Sequence, residues 1–378
     1  MSQNRSFQVD FQHRVQFTRD ALDPANSALA DVLAHSVERR LIVFIDDGVH
    51  HAHPDLADRL ANYLGARTRC GDELPELRMV EIVSGGEDAK NSIDVYEQVL
   101  TASDRHGIDR KSFVLAIGGG AMLDAVGFGA TLAHRGVRLI RMPTTTLAMD
   151  DAAMGVKNGI NQFGKKNFVG TFAVPWAVIA DELFLTTLTD QHFLSGFSEA
   201  VKIACLRDAQ LFDQIERDAR CLRARDLAVA MPIIARSAAL HLDHITAGGD
   251  PFELHEARPL DFGHWAAHKL ESMSSYTITH GEAVSIGIAL DCEYAVRTAV
   301  LEATVAARVR ACLQSLALPT WHPLLAQTDQ LARGLEEFRE HLGGQLNVTL
   351  LQSIGASTEV HVMDRAIVAA SARALAPR

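Results

Sequence analysis

The chain has 378 residues, of which 48% are hydrophobic and 22% are charged, as in ordinary globular proteins. This length exceeds what one hydrophobic core usually supports, so we expect two domains. The net charge of −11 argues against nucleic-acid binding through a general basic surface. A small anionic substrate stays compatible with this charge, because a pocket can be locally positive.

The cysteines and the N-terminus indicate the compartment. The five cysteines are an odd number and form no CxxC pair, which is typical of free thiols in a reducing cytoplasm. The start, MSQNRSFQVD, lacks the pattern of a signal peptide, and no run of 18 apolar residues predicts a membrane span. We therefore expect a cytoplasmic protein that does not bind membranes.

Strand and helix patterns alternate through the first half of the chain. Residues 6–18 alternate apolar and polar side chains, which predicts a strand or hairpin, and residues 27–40 predict an amphipathic helix. Further strands are predicted at 41–46, 79–83, 113–120, 137–143 and 177–181, with helices at 54–64, 87–105 and 121–133. Such alternation indicates an α/β domain with a doubly wound, mostly parallel sheet.

The pattern changes after about residue 185. Apolar spacing becomes helical for most of the remainder, except that residues 346–354 (LNVTLLQSI) predict a short strand or a hairpin. We place the boundary near residue 184, which gives an α/β domain over 1–184 and an α-helical domain over 185–378.

A glycine-rich turn follows one of the buried strands. In AIGGGAMLDAVG (116–127), three glycines let the backbone approach a pyrophosphate, and the following helix offers unpaired N–H groups and a positive dipole. Asp124 lies one turn into this helix. The spacing is not the GxGxxG fingerprint, so a tight turn that binds nothing is the alternative.

Two other loops belong to the same edge of the predicted sheet. Asp47 follows the 41–46 strand, and Glu87 and Lys90 follow the 79–83 strand. Ligands of open α/β sheets bind outside the carboxyl ends of the strands, so these loops together favour a nucleotide site. Each acid taken alone is better explained as a helix cap than as a nucleotide contact.

Residues 141–170 are polar, rich in glycine and long for a loop, which is typical of a functional segment. Its lysines suit a phosphate and its amides suit hydroxyl groups, so the segment favours a phosphorylated polyol as substrate. The alternative is a solvated loop whose charges pair with one another. The candidate side chains are Asp150, Asp151, Lys157, Asn161, Lys165, Lys166 and Asn167.

The second half offers ligands for a metal. Glu199 and Lys202 lie three residues apart in a predicted helix, His264 and His268 lie four apart in DFGHWAAH, and His280 opens HGEAV. One carboxylate with two histidines is a catalytic zinc pattern, and the third histidine would suit proton transfer. The residues alone do not decide which two histidines bind, and in a chain with 17 histidines the proximity can be accidental.

Six motifs, read in order, resemble those of one family. GGGAMLD, PTTTLAMDDAAMGVK, GKKNFVG, SEAVK, FGHWAAH and HGEAV are similar to the motifs of the sugar phosphate cyclases, the family of 3-dehydroquinate synthase. The resemblance runs from about residue 40 to about residue 355. Iron-type alcohol and glycerol dehydrogenases share the architecture but resemble these motifs less well.

The resemblance implies a dehydroquinate synthase-like fold, bound NAD, a divalent metal and a homodimer. The implied Zn²⁺ ligands are Glu199, His264 and His280, and Co²⁺ would accept the same set. The implied catalytic and substrate residues are Asp151, Lys157, Asn167, Lys202, Arg258 and His268, with Arg135 reaching a neighbouring subunit's phosphate site. The implied nucleotide contacts are Asp47, Glu87, Lys90, Gly119, Gly120, Asp124, Thr144, Thr145 and Lys166.

The resemblance also implies a reaction without net redox change. NAD⁺ transiently oxidises a hydroxyl of a phosphorylated C7 sugar, phosphate is eliminated, the hydride returns, and an aldol step closes a carbocycle. The implied substrates are 3-deoxy-D-arabino-heptulosonate 7-phosphate or sedoheptulose 7-phosphate. A polyol or glycerol-phosphate dehydrogenase and a binding protein without turnover are the alternatives.

The sequence departs from dehydroquinate synthases at groups that hold the substrate's carboxylate and phosphate. Asp261 replaces an asparagine, and Arg258 lies one residue closer to His264 than usual. His241 stands where a lysine is expected, and Glu340 or His341 replaces a lysine that contacts phosphate. Losing positive charge weakens the binding of an anion, so a substrate without a carboxylate is attractive, although cyclases of sedoheptulose 7-phosphate usually lack the residue equivalent to His268.

Overall fold

The structure is a computed structural model that describes residues 3–6, 9–34, 39–248, 252 and 259–377. The chain forms two compact units. The first comprises Met1–Pro143 and Val156–Asp181, and the second comprises Thr144–Gly155 and Glu182–Arg378. Residues 144–155 thus belong to the helical unit although they interrupt the α/β unit in sequence.

The first unit contains a six-stranded sheet in the order β1-β8-β5-β4-β2-β3, in which every neighbouring pair is parallel. Its strands are β1 (Val15–Thr18), β2 (Arg40–Asp46), β3 (Glu76–Val83), β4 (Phe113–Gly118), β5 (Arg138–Pro143) and β8 (Ala177–Asp181). Its helices are α1 (Ala28–Leu33), α2 (Asp47–Ala52), α3 (Leu56–Arg69), α4 (Asp88–Asn91), α5 (Asp94–Arg105) and α6 (Gly120–Leu132). β4 is buried along its whole length, which explains its continuous apolar run.

The second unit is mainly helical. Its helices are α7 (Asp190–Ser195), α8 (Phe197–Arg207), α9 (Ala209–Arg223), α10 (Leu227–Thr246), α11 (His264–Met273), α12 (His280–Arg297), α13 (Ala303–Ser315), α14 (Thr328–His341) and α15 (Arg365–Ala374). A hairpin of β9 (Val348–Ser353) and β10 (Ala356–Val360) completes it. Helix α8 is buried from Phe197 to Leu206, so it forms the centre of this unit.

The predicted fold class is confirmed: the N-terminal part is a parallel sheet with helices and the C-terminal part is helical. The 346–354 run forms the first strand of a hairpin, as one of its two interpretations required. The functional assignment of residues 1–184 and 185–378 to an NAD domain and a metal domain stays a prediction.

The prediction of a loop over residues 141–170 is wrong. Residues 148–152 form a π-helical turn, and β6 (Lys157–Gln162) and β7 (Lys165–Phe172) form an antiparallel hairpin. Gly159 and Gly170 lie opposite each other, and a Cβ added to either would lie 2.6 Å from a backbone oxygen of the opposite strand. The glycines that suggested a loop therefore permit a close approach of two strands.

Three other predicted elements are shorter or divided. Of the described residues 6 and 9–18, only Val15–Thr18 form a strand, which lies at the edge of the sheet and pairs with β8. The helix predicted from residue 27 ends at Leu33, and residues 35–38 lie outside the described ranges. The helix predicted over 87–105 is divided into α4 and α5 at an extended Ser92.

Gly127 allows α6 to pack closely against the β6–β7 hairpin. A Cβ at this position would lie 1.9 Å from Asn158 Oδ1, which already accepts a 2.7 Å hydrogen bond from the buried Arg141 guanidinium. We expect Gly127→Ala to lower the free energy of unfolding by about 1–3 kcal/mol through overpacking. Gly65→Ala in α3, where a Cβ would meet only the end of the Arg69 side chain at 3.4 Å, should stabilise by about 0.5–1 kcal/mol. Urea unfolding of both variants tests this, and equal effects would contradict it.

Candidate active site

The glycine turn of the first unit lies beside the ends of two neighbouring strands. Gly119 is the N-cap residue of α6, and it offers no side chain to cap the first turn of this helix. Asp46 at the end of β2 is crowded by the adjacent loops, because a Cβ on Gly85 or Gly118 would lie within 2.4 or 2.8 Å of its side chain. Glycines at these points leave space for the Asp46 side chain at the carboxyl ends of the strands.

The acids of this sheet edge have defined partners. Asp47 Oδ1 accepts a 3.0 Å hydrogen bond from the backbone of Gly85, which links the loops after β2 and β3. Lys90 is buried and its Nζ donates to Asp124 Oδ2 at 2.7 Å. The structure thus brings together Asp47, Lys90 and Asp124 with the Gly119–Gly120 turn in one unit.

Glu87 lies between α4 and the hairpin. Its Oε1 is 3.1 Å from Lys166 Nζ, and its Oε2 accepts a 3.1 Å hydrogen bond from Asn161 Nδ2. Asn161 also orders the hairpin, since its Oδ1 accepts a hydrogen bond from the backbone of Asn167. The predicted nucleotide residues Glu87 and Lys166 therefore contact each other.

The other predicted residues of the first unit are exposed. Lys157 begins β6, Asn167 has a φ of +54° in β7, and Arg135 ends a 3-10 turn with a φ of +63°. Thr144 and Thr145 fall in the second unit, where Thr145 Oγ1 accepts a hydrogen bond from the backbone of Ala148. Arg258 lies outside the described residues.

The predicted metal ligands converge in the second unit. Glu199 on α8 is 1% exposed, and its Oε1 lies 3.6 Å from His264 Nε2 and 3.5 Å from His280 Nε2. The three ligand atoms lie within 4.8 Å of one another. Zinc bond lengths near 2.0–2.2 Å in a tetrahedron require ligand separations of about 3.3–3.6 Å. The residues present therefore fit a zinc-sized ion.

Local sequence places both histidines at helix starts. His264 follows Gly263, whose left-handed φ of +78° turns the chain into α11. His280 follows Thr279, which forms a capping box with Glu282 at the start of α12.

Hydrogen bonds orient the two imidazoles. His264 Nδ1 donates to the carbonyl of Phe262 at 3.1 Å, and His280 Nδ1 donates to Glu271 Oε2 at 3.2 Å. Both Nε2 atoms are thereby left to accept a cation. Burial, followed by the Lys202 ammonium, lowers the pKa of His264 well below its ordinary value, which favours the neutral, ligating form.

A second group of possible ligands shares one of these histidines. His268, Glu271 and His280 also lie within 4.8 Å of one another, and the rings of His268 and His280 stack at 6.0 Å. Glu271 already accepts the hydrogen bond from His280, whereas Glu199 Oε1 is buried without a hydrogen-bond partner. An unsatisfied buried carboxylate oxygen favours the Glu199 group as the cation site.

Lys202 connects the metal ligands to Asp151. Its buried Nζ forms ion pairs with Glu199 Oε2 and, at 3.9 Å, with Asp151 Oδ1. His241 Nδ1 lies 2.9 Å from the same Asp151 oxygen. Burial favours the neutral acid, but the Lys202 and His241 charges outweigh it and hold the pKa of Asp151 well below its usual range.

Two carboxylate side chains of this site, Glu271 and Asp291, were not predicted from the sequence. Glu271 lies at i+7 from His264 and i+3 from His268, a helical spacing that would have placed it on their face. The contacts of Asp291 with Gly263 and Trp265 carry no local signal, because 26 or more residues separate them. Of the residues that differ from the family pattern, Asp261 ends a 3-10 turn and Glu340 is exposed in α14.

Comparison with known proteins identifies the class. The 3-dehydroquinate synthase N-terminal model matches residues 80–195, and the C-terminal model matches residues 196–338. The chain is 32% identical to a 2-epi-5-epi-valiolone synthase of Actinomyces sp. over 96% of this chain and 94% of that protein. It is 35% identical to the 3-dehydroquinate synthase of Koribacter versatilis (strain Ellin345) over 75% of this chain and 77% of that protein.

A solved structure agrees with these relatives. A 2-epi-5-epi-valiolone synthase from Streptomyces hygroscopicus subsp. jinggangensis 5008, with NAD⁺ and Zn²⁺ bound, superposes with a TM-score of 0.89 and 29% identity, covering 99% of both chains. The chain belongs to the 3-dehydroquinate synthase family of sugar phosphate cyclases, which confirms the resemblance. Among the described residues, no helix is long and apolar enough to span a membrane.

Asp150, next to Asp151, is a buried carboxyl group without a hydrogen-bond partner. Burial, and then the Asp151 and Glu199 charges, raise its pKa well above the ordinary value. A carboxyl whose folded pKa is raised costs stability as the pH rises above its unfolded pKa of about 3.9. We expect Asp150→Leu to raise the free energy of unfolding at neutral pH by about 1–3 kcal/mol, so that the variant unfolds at a higher urea concentration than the wild type. This difference in stability should become smaller as the pH falls toward 4.

Urea unfolding of the metal-free protein at several pH values measures this difference. The exposed Asp58→Leu change on α3 is the control and should leave the pH dependence of stability as it is in the wild type. An Asp150→Leu variant that is less stable at neutral pH, or that keeps the wild-type pH dependence, would show that Asp150 is stabilised in its charged form.

Proposed function

We propose that the protein is an NAD- and zinc-dependent cyclase that converts a phosphorylated C7 sugar to a carbocycle with elimination of phosphate, a carbon–oxygen lyase reaction. The observation that carries this proposal is the convergence of Glu199, His264 and His280 on one buried point beside Lys202 and Asp151. The solved valiolone synthase with NAD⁺ and Zn²⁺ supports the same cofactors for this chain. We also propose a homodimer in the cytoplasm.

The ligand set suits the chemistry. A bound divalent ion would supply Lewis acidity to a substrate hydroxyl, and bound NAD⁺ would accept and return a hydride. Lys202 keeps its proton, since the charges of Glu199 and Asp151 outweigh the effect of burial and raise its pKa. Its ammonium therefore stabilises negative charge that develops beside the ligands.

Asp151 is the residue we propose to orient a substrate hydroxyl in the second unit. Its carboxylate stays ionised because Lys202 and His241 lie at one oxygen, and an ionised carboxylate accepts a hydrogen bond from a hydroxyl group. His268 lies beside both ligand histidines, with ring centroids 5.5 Å from His264, where it can relay protons. The roles of Lys157, Asn167, Arg135 and the nucleotide residues remain as the resemblance assigns them.

Sedoheptulose 7-phosphate is our first candidate substrate and 3-deoxy-D-arabino-heptulosonate 7-phosphate the second. His241, at the position expected for a lysine, is engaged by Asp151, so this position offers a substrate carboxylate no free ammonium. The likeness to a valiolone synthase extends over 96% of the chain, which also favours a product without a carboxylate.

An assay with NAD⁺, Zn²⁺ and each sugar phosphate in turn tests the proposed reaction. We expect inorganic phosphate to be released from sedoheptulose 7-phosphate while NADH does not accumulate, because the hydride returns within each turnover. NADH formed in proportion to the substrate consumed would instead show a dehydrogenase. Phosphate release from the carboxylated sugar alone would overturn the choice of substrate.

Removing one ligand tests the metal. We expect His280→Ala to lower phosphate release by at least about 100-fold, since a charge-stabilising group at the reacting centre is typically worth that much. His361→Ala, an exposed histidine on the same unit, is the matched control and should keep full activity. A chelator should likewise abolish activity, and Zn²⁺ or Co²⁺ should restore it in the wild type only. Full activity of the chelated enzyme would exclude a catalytic metal.

A further inference from the structure

Asp291 on α12 binds the residues on both sides of the ligand His264. Its Oδ2 accepts a 2.9 Å hydrogen bond from the backbone of Gly263, and its Oδ1 accepts a 2.8 Å bond from the indole of Trp265. Asp291 is fully buried, and Trp265 is 1% exposed. One carboxylate thus fixes the backbone before His264 and the side chain after it.

The backbones of α11 and α12 also approach each other closely next to this contact. A Cβ on Gly263 would lie 2.8 Å from the backbone nitrogen of Ile288, and a Cβ on Gly287 would lie 2.0 Å from the carbonyl oxygen of Gly263. The start of α11 is therefore pressed against the middle of α12, one helical turn before Asp291.

A second buried carboxylate, on α11, binds the ligand histidine of α12. Glu271 lies on α11, is 2% exposed, and accepts the Nδ1–H of His280 at the start of α12. Each helix therefore carries one ligand histidine and one carboxylate that holds the ligand region of the other helix. The spacing between His264 and His280 depends on both contacts.

Burying the carboxyl group of Asp291 lowers the stability of the fold. Burial raises its pKa to about 7 even though two hydrogen bonds to the carboxylate oppose this effect. A leucine of similar size would avoid the cost of burying a charge. A buried carboxylate at this position is thus better explained by what it orients than by stability.

We infer that Asp291 is a positioning residue that, together with Glu271, presets the separation of His264 and His280 for the metal. The inference rests on the metal site of the proposed function and adds residues to it. Partners that orient ligand side chains typically contribute 10–100-fold to metal affinity.

Zinc titration with a competing chelator tests the inference in the full chain. We expect Asp291→Leu to weaken Zn²⁺ binding about 10–100-fold and to change the visible spectrum of the Co²⁺-substituted protein, while NAD⁺ affinity is unchanged. Asp291→Asn keeps one acceptor oxygen and should show a smaller loss, which also serves if the leucine variant does not fold. Glu271→Gln keeps an acceptor for His280 and should bind Zn²⁺ more tightly than Glu271→Leu.

Asp181→Asn is the matched control. Asp181 is a buried carboxylate of the first unit that accepts backbone hydrogen bonds from Asp20 and Ala21, so its change should affect stability but not Zn²⁺ affinity. His264→Ala in the same titration separates two kinds of failure. If His264→Ala weakens zinc binding and neither Asp291 variant does, the positioning role is wrong and the metal site stands. If His264→Ala has no effect, both are wrong.

Discussion

The candidate metal site of the second unit is arranged around one buried carboxylate, that of Glu199. Burial of this carboxyl group at 1% exposure carries a large desolvation cost, and the ion pair between Lys202 and Oε2 offsets only part of it. The other oxygen has no hydrogen bond and faces two imidazole nitrogens at 3.5 and 3.6 Å. A divalent cation between these three atoms would satisfy all of them, which supports the proposal that this arrangement is a metal centre.

Two neighbouring carboxyl groups near Glu199, those of Asp150 and Asp151, have different surroundings. Asp151 stays ionised because Lys202 and His241 lie at one of its oxygens, whereas Asp150, its neighbour in sequence, is buried without a hydrogen-bond partner and its pKa is raised well above the usual value. The environments of two adjacent carboxyl groups thereby shift their pKa values in opposite directions.

Local patterns in the sequence were sufficient for strands β2 and β4, the glycine turn and the grouping of the histidines, whereas the choice of Glu199, His264 and His280 as ligands came from the family resemblance. Each of these depends on short-range signals: apolar runs for β2 and β4, glycines before α6, and a helical i, i+4 spacing for His264 and His268. The β6–β7 hairpin was missed because Gly159 and Gly170 resemble loop residues until their cross-strand contact is known. The contact of Asp291 with the Gly263 turn and the burial of Asp150 arise only from tertiary packing, so no local pattern indicates them.

X-ray absorption at the zinc edge of the purified, zinc-loaded protein tests the central claim most directly. One carboxylate and two imidazoles predict nitrogen and oxygen donors at about 2.0–2.2 Å, with the multiple-scattering signal of two imidazole rings. His268→Ala should leave this signal unchanged, and His264→Ala should reduce it to one ring. A sulfur shell near about 2.3 Å, or a signal that loses a ring in His268→Ala and not in His264→Ala, would contradict the assignment of the metal to Glu199, His264 and His280.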